Sequence, residues 1–250
     1  STWQRSREQR VHLAQGRTKG GKTILKASGG ETVIISGDTA TGTKGDKKMF
    51  VYDRVDRKSP TLGKAAPKNS KVLFGGKGTD RFSDGKKLDG ELLKEGVVSM
   101  DSFGDFTLHL EFRTPYKPKT KPGSQDRGNS GVYIFNNYET QILDSFGIKG
   151  EFNFCGALYR KKPPAVNMCL PPLVWQTYDI EFTTPRFKDG KKVKNARITT
   201  RHNGVLIHDD FELDKGTGAG GGRPEKEKGQ IHLQGHGNPV RFQNIWLVEK

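Results

Sequence analysis

The sequence predicts an all-β fold, either a β-sandwich or a jelly roll. Many short segments alternate apolar and polar residues, and Gly-, Pro- and Asn-rich turns separate them. The chain shows no amphipathic helical pattern and no internal repeat of roughly 20 to 50 residues. With 250 residues, 32 of them glycine, it is rich in turns and long enough for one sandwich with a proper core.

The clearest strand covers residues 105–113. Its apolar residues Phe106, Leu108, Leu110 and Phe112 alternate with Thr107, His109, Glu111 and Arg113. A period of two places the two sets on opposite faces of a sheet. One face is therefore apolar. The other carries a titratable row, whose simplest interpretation is a solvated surface.

Further strands are predicted over residues 177–183, 196–201, 205–211, 230–234 and 240–248. Asn203-Gly204, between the second and third of these, is the strongest hairpin signal in the chain, because both residues accept a positive φ. These strands continue the pattern of a sandwich.

The N-terminal part of the chain has a different composition. Residues 1–69 predict an irregular basic extension, partly packed on a sandwich domain over residues 70–250. Its first 20 or so residues predict a polar, basic arm. Short strands are expected at residues 31–36 and 49–52, with a loop over residues 37–48.

The net charge of +15 favours either a polyanionic partner or a solvated, Lys-rich surface. The basic residues are spread over loops without interleaved aromatic residues, so we expect no nucleic-acid partner. No apolar run approaches the roughly 20 residues that cross a bilayer, so no transmembrane segment is predicted. We expect a secreted or periplasmic protein whose signal peptide has been removed.

Cys155 and Cys169 are the two cysteines. A disulfide between them would suit an exported protein, and a pair of buried thiols is an equally good interpretation. A zinc site is not expected, because no CxxC pair or histidine cluster accompanies them.

Residues 129–145 predict a β-hairpin with an unusual polar load. Strands over residues 131–135 and 138–143 flank an Asn pair, and asparagine tolerates the positive φ of a tight turn. Asn136 and Asn137 form the predicted turn, and the polar side chains are Glu139, Gln141 and Asp144.

A two-residue turn in this hairpin would place Phe135 opposite Tyr138. The face with Tyr133, Phe135 and Tyr138 has more aromatic area, so it is predicted to face the core. Glu139 and Gln141 then point away from the core, with Asn129 and Asp144 at its edge. A slip of one residue would reverse this facing.

Several segments, in the same order along the chain, together resemble the 3-keto-disaccharide hydrolase family. They include Val72-Leu73-Phe74, Gly128-Asn129-Ser130-Gly131-Val132-Tyr133, Gly156-Ala157-Leu158-Tyr159 and Gly235-His236-Gly237-Asn238-Pro239, together with residues 103–113, 138–145, 175–180 and 240–246. The resemblance covers about residues 70–248. It implies a concanavalin-like jelly-roll β-sandwich of two antiparallel sheets.

The resemblance also implies cleavage of a glycoside whose sugar carries a ketone at carbon 3. Such a ketone acidifies the hydrogen at carbon 2. A positioned base can then remove that proton, and the enolate expels the aglycone from carbon 1. Net hydrolysis or a lyase reaction would follow.

The resemblance assigns roles to eleven residues. The catalytic candidates are Glu139, His236, Gln141 and Asp144, with Glu139 or His236 as the base. The substrate-binding candidates are Asn129, Glu111, His109, Arg113, Tyr159, Trp175 and Arg241. A divalent metal ion is possible at these carboxylates, amides and histidines, and no other cofactor is expected.

Structural alternatives stay open for these side chains. Glu139 could pair with Arg113 across the sheet, His236 could cap a Gly-Pro turn, and Trp175 could plug the core. Asp144 and Asn129 could accept turn amides. As a whole-protein alternative, the domain could be a non-catalytic, lectin-like carbohydrate-binding module, since a fold does not fix a function.

Overall fold

The computed structural model describes residues 14–76, 81–83 and 88–250. The chain divides between Arg57 and Lys58 into two compact units. The basic arm predicted at the N-terminus lies largely outside the described residues. Residues 58–69, which the sequence assigned to the extension, belong to the second unit.

The first unit contains a five-stranded antiparallel meander with neighbours in chain order. Its strands are β1 (Ala14–Lys19), β2 (Lys22–Ala27), β3 (Glu31–Ser36), β4 (Thr39–Lys44) and β5 (Lys47–Asp53). The extension is therefore regular where it is described, and the expected loop over residues 37–48 is mostly strand. Gly37 and Gly45 take positive φ values of 57° and 55°, which confines the turns to a few residues. The Gly, Lys and Thr content of this segment had favoured a loop.

The second unit is a sandwich, which confirms the predicted all-β jelly-roll class. Its strands are β6 (Lys71–Phe74), β7 (Leu88–Asp89), β8 (Leu92–Lys94), β9 (Val97–Val98), β10 (Phe106–Arg113), β11 (Ser130–Ile134), β12 (Tyr138–Ile142), β13 (Gln176–Thr183), β14 (Arg186–Lys188), β15 (Lys191–Lys194), β16 (Ala196–His202), β17 (Val205–Leu213), β18 (Ile231–Leu233) and β19 (Arg241–Glu249). One 3-10 helix, Gly218–Gly220, precedes β18.

Two antiparallel sheets form the layers of the sandwich. The larger has the order β17-β16-β13-β10-β19-β8-β7, with β6 also paired to β19, and the smaller has the order β12-β11-β18-β9. Side chains from both sheets meet in one core. The ring centroids of Tyr138 and Phe182 lie 5.3 Å apart across the layers, and those of Phe106 and Phe135 lie 6.5 Å apart. Strands β14 and β15 form a separate hairpin.

The alternation of β10 is confirmed on its apolar face, where all four predicted residues are fully buried. The expectation for the opposite face is wrong, because His109 and Glu111 are buried as well. Residues 59–64 run over this face and bond to it. The Gly63 N–H donates to Glu111 Oε1 at 2.6 Å, and the Thr61 hydroxyl donates to Asp179 at 2.9 Å.

The predicted hairpin is present, but its register differs by one residue. Ile134 pairs with Tyr138, so the loop has three residues instead of two. Phe135 and Asn136 both take a φ of 58°, and the Asn137 N–H closes the turn on the Ile134 carbonyl at 3.0 Å. The core-facing side of β11 is therefore Val132 and Ile134, and Tyr133 faces away from the core.

Cys155 and Cys169 are buried free thiols in this structure. The Cys155 sulfur lies 3.3 Å from the Tyr178 hydroxyl, and the Cys169 thiol donates to the Leu143 carbonyl. Of the two open interpretations, the structure therefore shows the thiol pair. The described residues contain no helix with the length and apolarity that a membrane span requires.

Candidate functional site

A cavity of about 390 Å³ lies on the outer face of the β11–β12 hairpin. Four parts of the chain surround it: the hairpin, the segment after β12, the 3-10 helix and the loop after β18. Its lining residues are Asn129, Tyr133, Glu139, Gln141, Tyr159, Arg160, Gly218, Gln234 and His236. Five of the eleven predicted site residues are in this set, so separate segments do converge on one hollow.

The observed register explains how the hairpin fills the cavity floor. Tyr133 lies directly opposite Glu139, and Gly131 directly opposite Gln141. Because directly opposed residues share a face, all four point to the same side of the sheet. In the observed register, Glu139 and Gln141 still point away from the core, as predicted, and Tyr133 lies on the same face as they do.

Glu139 is the central side chain of the floor, with 2% of its surface exposed. Burial raises the pKa of Glu139 to about 7, against a smaller lowering by its hydrogen bond with Tyr133. Its Oε2 atom is buried and has no hydrogen-bond partner among the described residues. One carboxylate oxygen is therefore without an intramolecular hydrogen-bond partner in the described structure.

The backbone of Glu139 is fixed on both sides. Its N–H donates to the Thr217 hydroxyl at 2.7 Å, and its carbonyl accepts the Tyr159 N–H at 3.1 Å. Gly131 supplies the space for the carboxylate. A Cβ at this glycine would overlap Glu139 Oε1 and lie 3.0 Å from its Cγ. A side chain at position 131 would therefore displace the Glu139 carboxyl group.

Gln141 is fully buried beside Glu139. Its Nε2 group donates to Gln125 Oε1 at 3.1 Å and to Asn129 Oδ1 at 3.4 Å. Its Oε1 atom finds no partner in the described part of the chain. The floor thus presents a second unpaired acceptor next to the carboxylate.

The wall beside the hairpin comes from residues 156–160 and the Gly-rich segment around the 3-10 helix. The Arg160 guanidinium lies 5.5 Å from the centroid of the Tyr159 ring. Gly218 has a φ of 41°, and a Cβ there would overlap the Tyr159 ring. The Thr217 N–H donates to the Asn137 carbonyl at 2.8 Å, which ties this wall to the hairpin turn.

The opposite wall follows β18. The Gln234 N–H donates to the Gly131 carbonyl at 2.9 Å, and Gln234 Oε1 is a further buried acceptor without a partner among residues that the structure describes. His236 is exposed at the rim. It lines the cavity but is exposed to solvent, whereas Glu139 is buried.

Four predicted site residues lie elsewhere in ion pairs or ring contacts. Asp144 is buried against Arg127 at 2.8 Å. The Arg113 guanidinium lies 5.1 Å from the Trp175 ring, and Arg241 pairs with acidic residues at 2.8 and 3.2 Å. None of the four lines the cavity. Each has an intramolecular partner that accounts for its charge or its ring.

His109 and Glu111 lie on the outer face of the larger sheet, also away from the cavity. His109 Nδ1 is 2.8 Å from Asp179, and its ring stacks on Trp246 at 5.0 Å. Burial lowers the pKa of His109, but hydrogen bonds with the two carboxylates outweigh it and raise the pKa overall. Burial likewise disfavours the Glu111 anion, yet hydrogen bonds led by that from His109 lower its pKa to about 2. This is a buried ion network under residues 59–64.

Sequence reasoning missed five contributors to the cavity and its supports. They are Gln125, Tyr133, Arg160, Gly218 and Gln234. The correct three-residue turn would have identified Tyr133. The others come from irregular segments, where no periodicity indicates which side chains point inward.

No group of three or more His, Cys, Asp or Glu side chains in the described residues is arranged to hold a metal ion. The cavity instead offers one carboxylate oxygen and two amide oxygens. Acceptors of this kind, next to an aromatic wall, suit the hydroxyl groups and apolar ring faces of a sugar.

The fold and the cavity together define a β-sandwich domain with a polar site that suits a carbohydrate. The family model described as "3-keto-alpha-glucoside-1,2-lyase-like domain" matches residues 69–248. The chain belongs to this family, and the predicted resemblance is confirmed.

Two solved structures from Parabacteroides distasonis have a similar fold. One, described as a proposed glycosyl hydrolase, is 29% identical to this chain and has a TM-score of 0.65. The match covers 74% of this chain and 85% of the other. A second, similarly described, is 23% identical with a TM-score of 0.51 and covers 72% and 99% of the two chains. The second likeness shows the fold alone. A comparison with curated proteins found no significant match.

Proposed function

We propose that this protein cleaves glycosides whose sugar carries a ketone at carbon 3, with Glu139 as the base. The observation that carries the proposal is the state of this carboxyl group: buried on the cavity floor, with a pKa of about 7 and one free oxygen. A general base is most effective when its pKa lies near the working pH. Glu139 meets this condition, and an ordinary exposed glutamate does not.

The reaction proceeds by elimination. Glu139 takes the proton from carbon 2, and the electrons of that C–H bond move into an enolate at carbon 3. The enolate then re-forms the ketone, a double bond forms between carbons 1 and 2, and the C1–O bond breaks. The aglycone leaves and takes up a proton. Addition of water across the double bond would give net hydrolysis.

Burial helps the proton transfer in a specific way. The low-dielectric floor disfavours the Glu139 anion and therefore strengthens its affinity for a proton. Tyr133 lies directly opposite Glu139, and a hydrogen bond with it lowers the pKa of Glu139 by less than burial raises it. Tyr159, Arg160 and His236 are lining residues with donor groups, and we assign them to the enolate oxygen and the departing oxygen.

Two further findings support a glycoside as the substrate class. The family model carries the name of a 3-keto-alpha-glucoside lyase. The structure that is 29% identical is described as a proposed glycosyl hydrolase. A two-carboxylate mechanism of the ordinary glycosidase kind has less support, because Glu139 is the one carboxylate among the described residues that line the cavity.

The test uses the full chain with nitrophenyl 3-keto-α-glucoside, with unoxidised nitrophenyl α-glucoside as the matched control. We expect nitrophenol release from the ketone alone, and loss of release in Glu139→Gln. A parallel arm with chelator reports on the divalent ion, which stays a prediction. Release from both glycosides would indicate an ordinary glycosidase. Sugar binding without release under any condition would favour the carbohydrate-binding module.

A further inference from the structure

Gln125 is not among the residues that line the cavity; it lies in the loop between β10 and β11 and contacts the floor residue Gln141. Its Nε2 group donates to the backbone carbonyl of Asn153 at 3.0 Å. A carbonyl has no hydrogen to give, so the nitrogen of the Gln125 amide must lie on that side. Its oxygen is thereby directed toward Gln141 and Asn129, at 3.1 and 3.3 Å.

This orientation determines the amide of Gln141 in turn. An oxygen accepts only from a donor, so the Gln141 nitrogen must face Gln125. The same nitrogen lies 3.4 Å from Asn129 Oδ1. Gln141 lines the cavity, and its carbonyl oxygen is buried without a hydrogen-bond partner among the described residues.

We propose that Gln125 is a positioning residue that holds Gln141 as a hydrogen-bond acceptor for a substrate hydroxyl that takes no part in the reaction. The inference rests on the proposed function and deepens it. A buried acceptor without a partner is unfavourable, and a ligand hydroxyl that donates to it removes this penalty. The site therefore selects a donor at this position of the sugar.

The strand spacing indicates which hydroxyl this is. Glu139 and Gln141 are two residues apart on one face of β12, which separates their Cα atoms by about 7 Å. With Glu139 at carbon 2 and the ketone side of the sugar extended along β12, the part of the ring beyond the ketone reaches Gln141. The hydroxyl at carbon 4 or carbon 6 is in that part. A substrate with an ether, ketone or fluorine there would leave the acceptor unpaired.

The test compares the 3-keto-glucoside with its 4-deoxyfluoro and 6-deoxyfluoro analogues, because fluorine keeps the size and removes the donor. For the wild type we expect kcat/KM to fall about tenfold or more for one analogue, mainly through KM. In Gln141→Met this preference should disappear. In Gln125→Met the Gln141 amide is free to turn its nitrogen to the cavity, so the preference should weaken while turnover of the parent persists.

The matched control is Gln230→Met, since Gln230 also donates its Nε2 to a backbone carbonyl, that of Ser99, away from the cavity lining. It should keep the full preference. Binding of the same sugars to Glu139→Gln gives a second measurement that needs no turnover. Turnover or binding without any preference between parent and analogues would overturn the inference. If the parent sugar binds better than its analogues but is not turned over, the proposed function alone would be overturned. If chelator abolishes the preference for the parent sugar, Gln141 would be assigned to a cation and the inference would be overturned.

Discussion

Replacing Glu139 by glutamine should remove activity and, above neutral pH, stabilise the protein. Burial raises the pKa of this carboxyl from 4.5 to about 7. Below about pH 4 both the folded and the unfolded chain hold the proton, so this group has no effect on the free energy of unfolding. Between pH 4.5 and about pH 7, this carboxyl group is ionised in the unfolded chain but still protonated in the folded chain. Stability therefore falls as the pH rises, and above about pH 7 the loss is constant.

The magnitude follows from the size of the shift. At about 1.4 kcal/mol for each pKa unit, the wild type loses about 3 kcal/mol by pH 8. Glutamine has no proton to lose. Glu139→Gln should therefore unfold with a free energy up to about 3 kcal/mol higher than the wild type at pH 8, and with nearly the same value at pH 4.

Urea denaturation of both proteins at about pH 4 and about pH 8 measures this difference. Glu181→Gln is the matched control, because Glu181 is an exposed strand glutamate that pairs with Lys250 on the surface. Its effect should be small at both pH values. The activity of Glu139→Gln should fall by about 100-fold to 10,000-fold. A variant that is equally destabilised at both pH values, or that keeps its turnover, would refute the role of a buried base.

Three further outcomes are expected. Wild-type kcat/KM should rise with pH through about 7 as Glu139 loses its proton. Tyr133→Phe should move this rise to higher pH, because the Tyr133 hydrogen bond lowers the pKa of Glu139. The same pH profile in both proteins would contradict this hydrogen bond. Gly131→Ala should lower kcat/KM at least about tenfold by displacing the carboxylate, whereas Gly222→Ala, which has open space around its Cβ, should not, as initial rates will show. His109→Leu should lower the free energy of unfolding by about 3 kcal/mol at pH 6, because Glu111 and Asp179 lose the imidazolium that pairs with both of them. The contribution of His109 to stability is present at low pH and is lost as the pH rises through its raised pKa. The loss of unfolding free energy in His109→Leu should therefore be smaller when denaturation is measured at alkaline pH. Turnover per folded molecule should be unchanged.

Local patterns determined much of this fold. The alternation of Phe106, Leu108, Leu110 and Phe112 predicted a strand with one core face, because side chains two residues apart must share a side. Asn203-Gly204 predicted a tight turn, and both residues do take positive φ values. Such signals depend on the nearest neighbours in the chain, and they survive whatever surrounds them.

The hairpin shows where this reasoning ends. Asn136 and Asn137 were a sound prediction of a turn, yet the turn is centred on Phe135 and Asn136. Phe135 accepts a positive φ because its ring is buried, 5.4 Å from that of Phe182 on the other sheet. A distant packing contact thus outweighed local propensity and shifted the register by one residue.

The sequence by itself determined the all-β class, the main strands and the presence of Glu139 and Gln141 outside the core. Tertiary structure alone decided that Tyr133, Gln125 and the wall around Tyr159 meet these two residues. It also decided that residues 59–64 bury His109, which left that histidine to an ion network instead of the cavity. The physical reason is that burial and hydrogen bonding between distant segments set both the pKa of a carboxyl group and the orientation of an amide, and neither depends on the residues next to it in the chain.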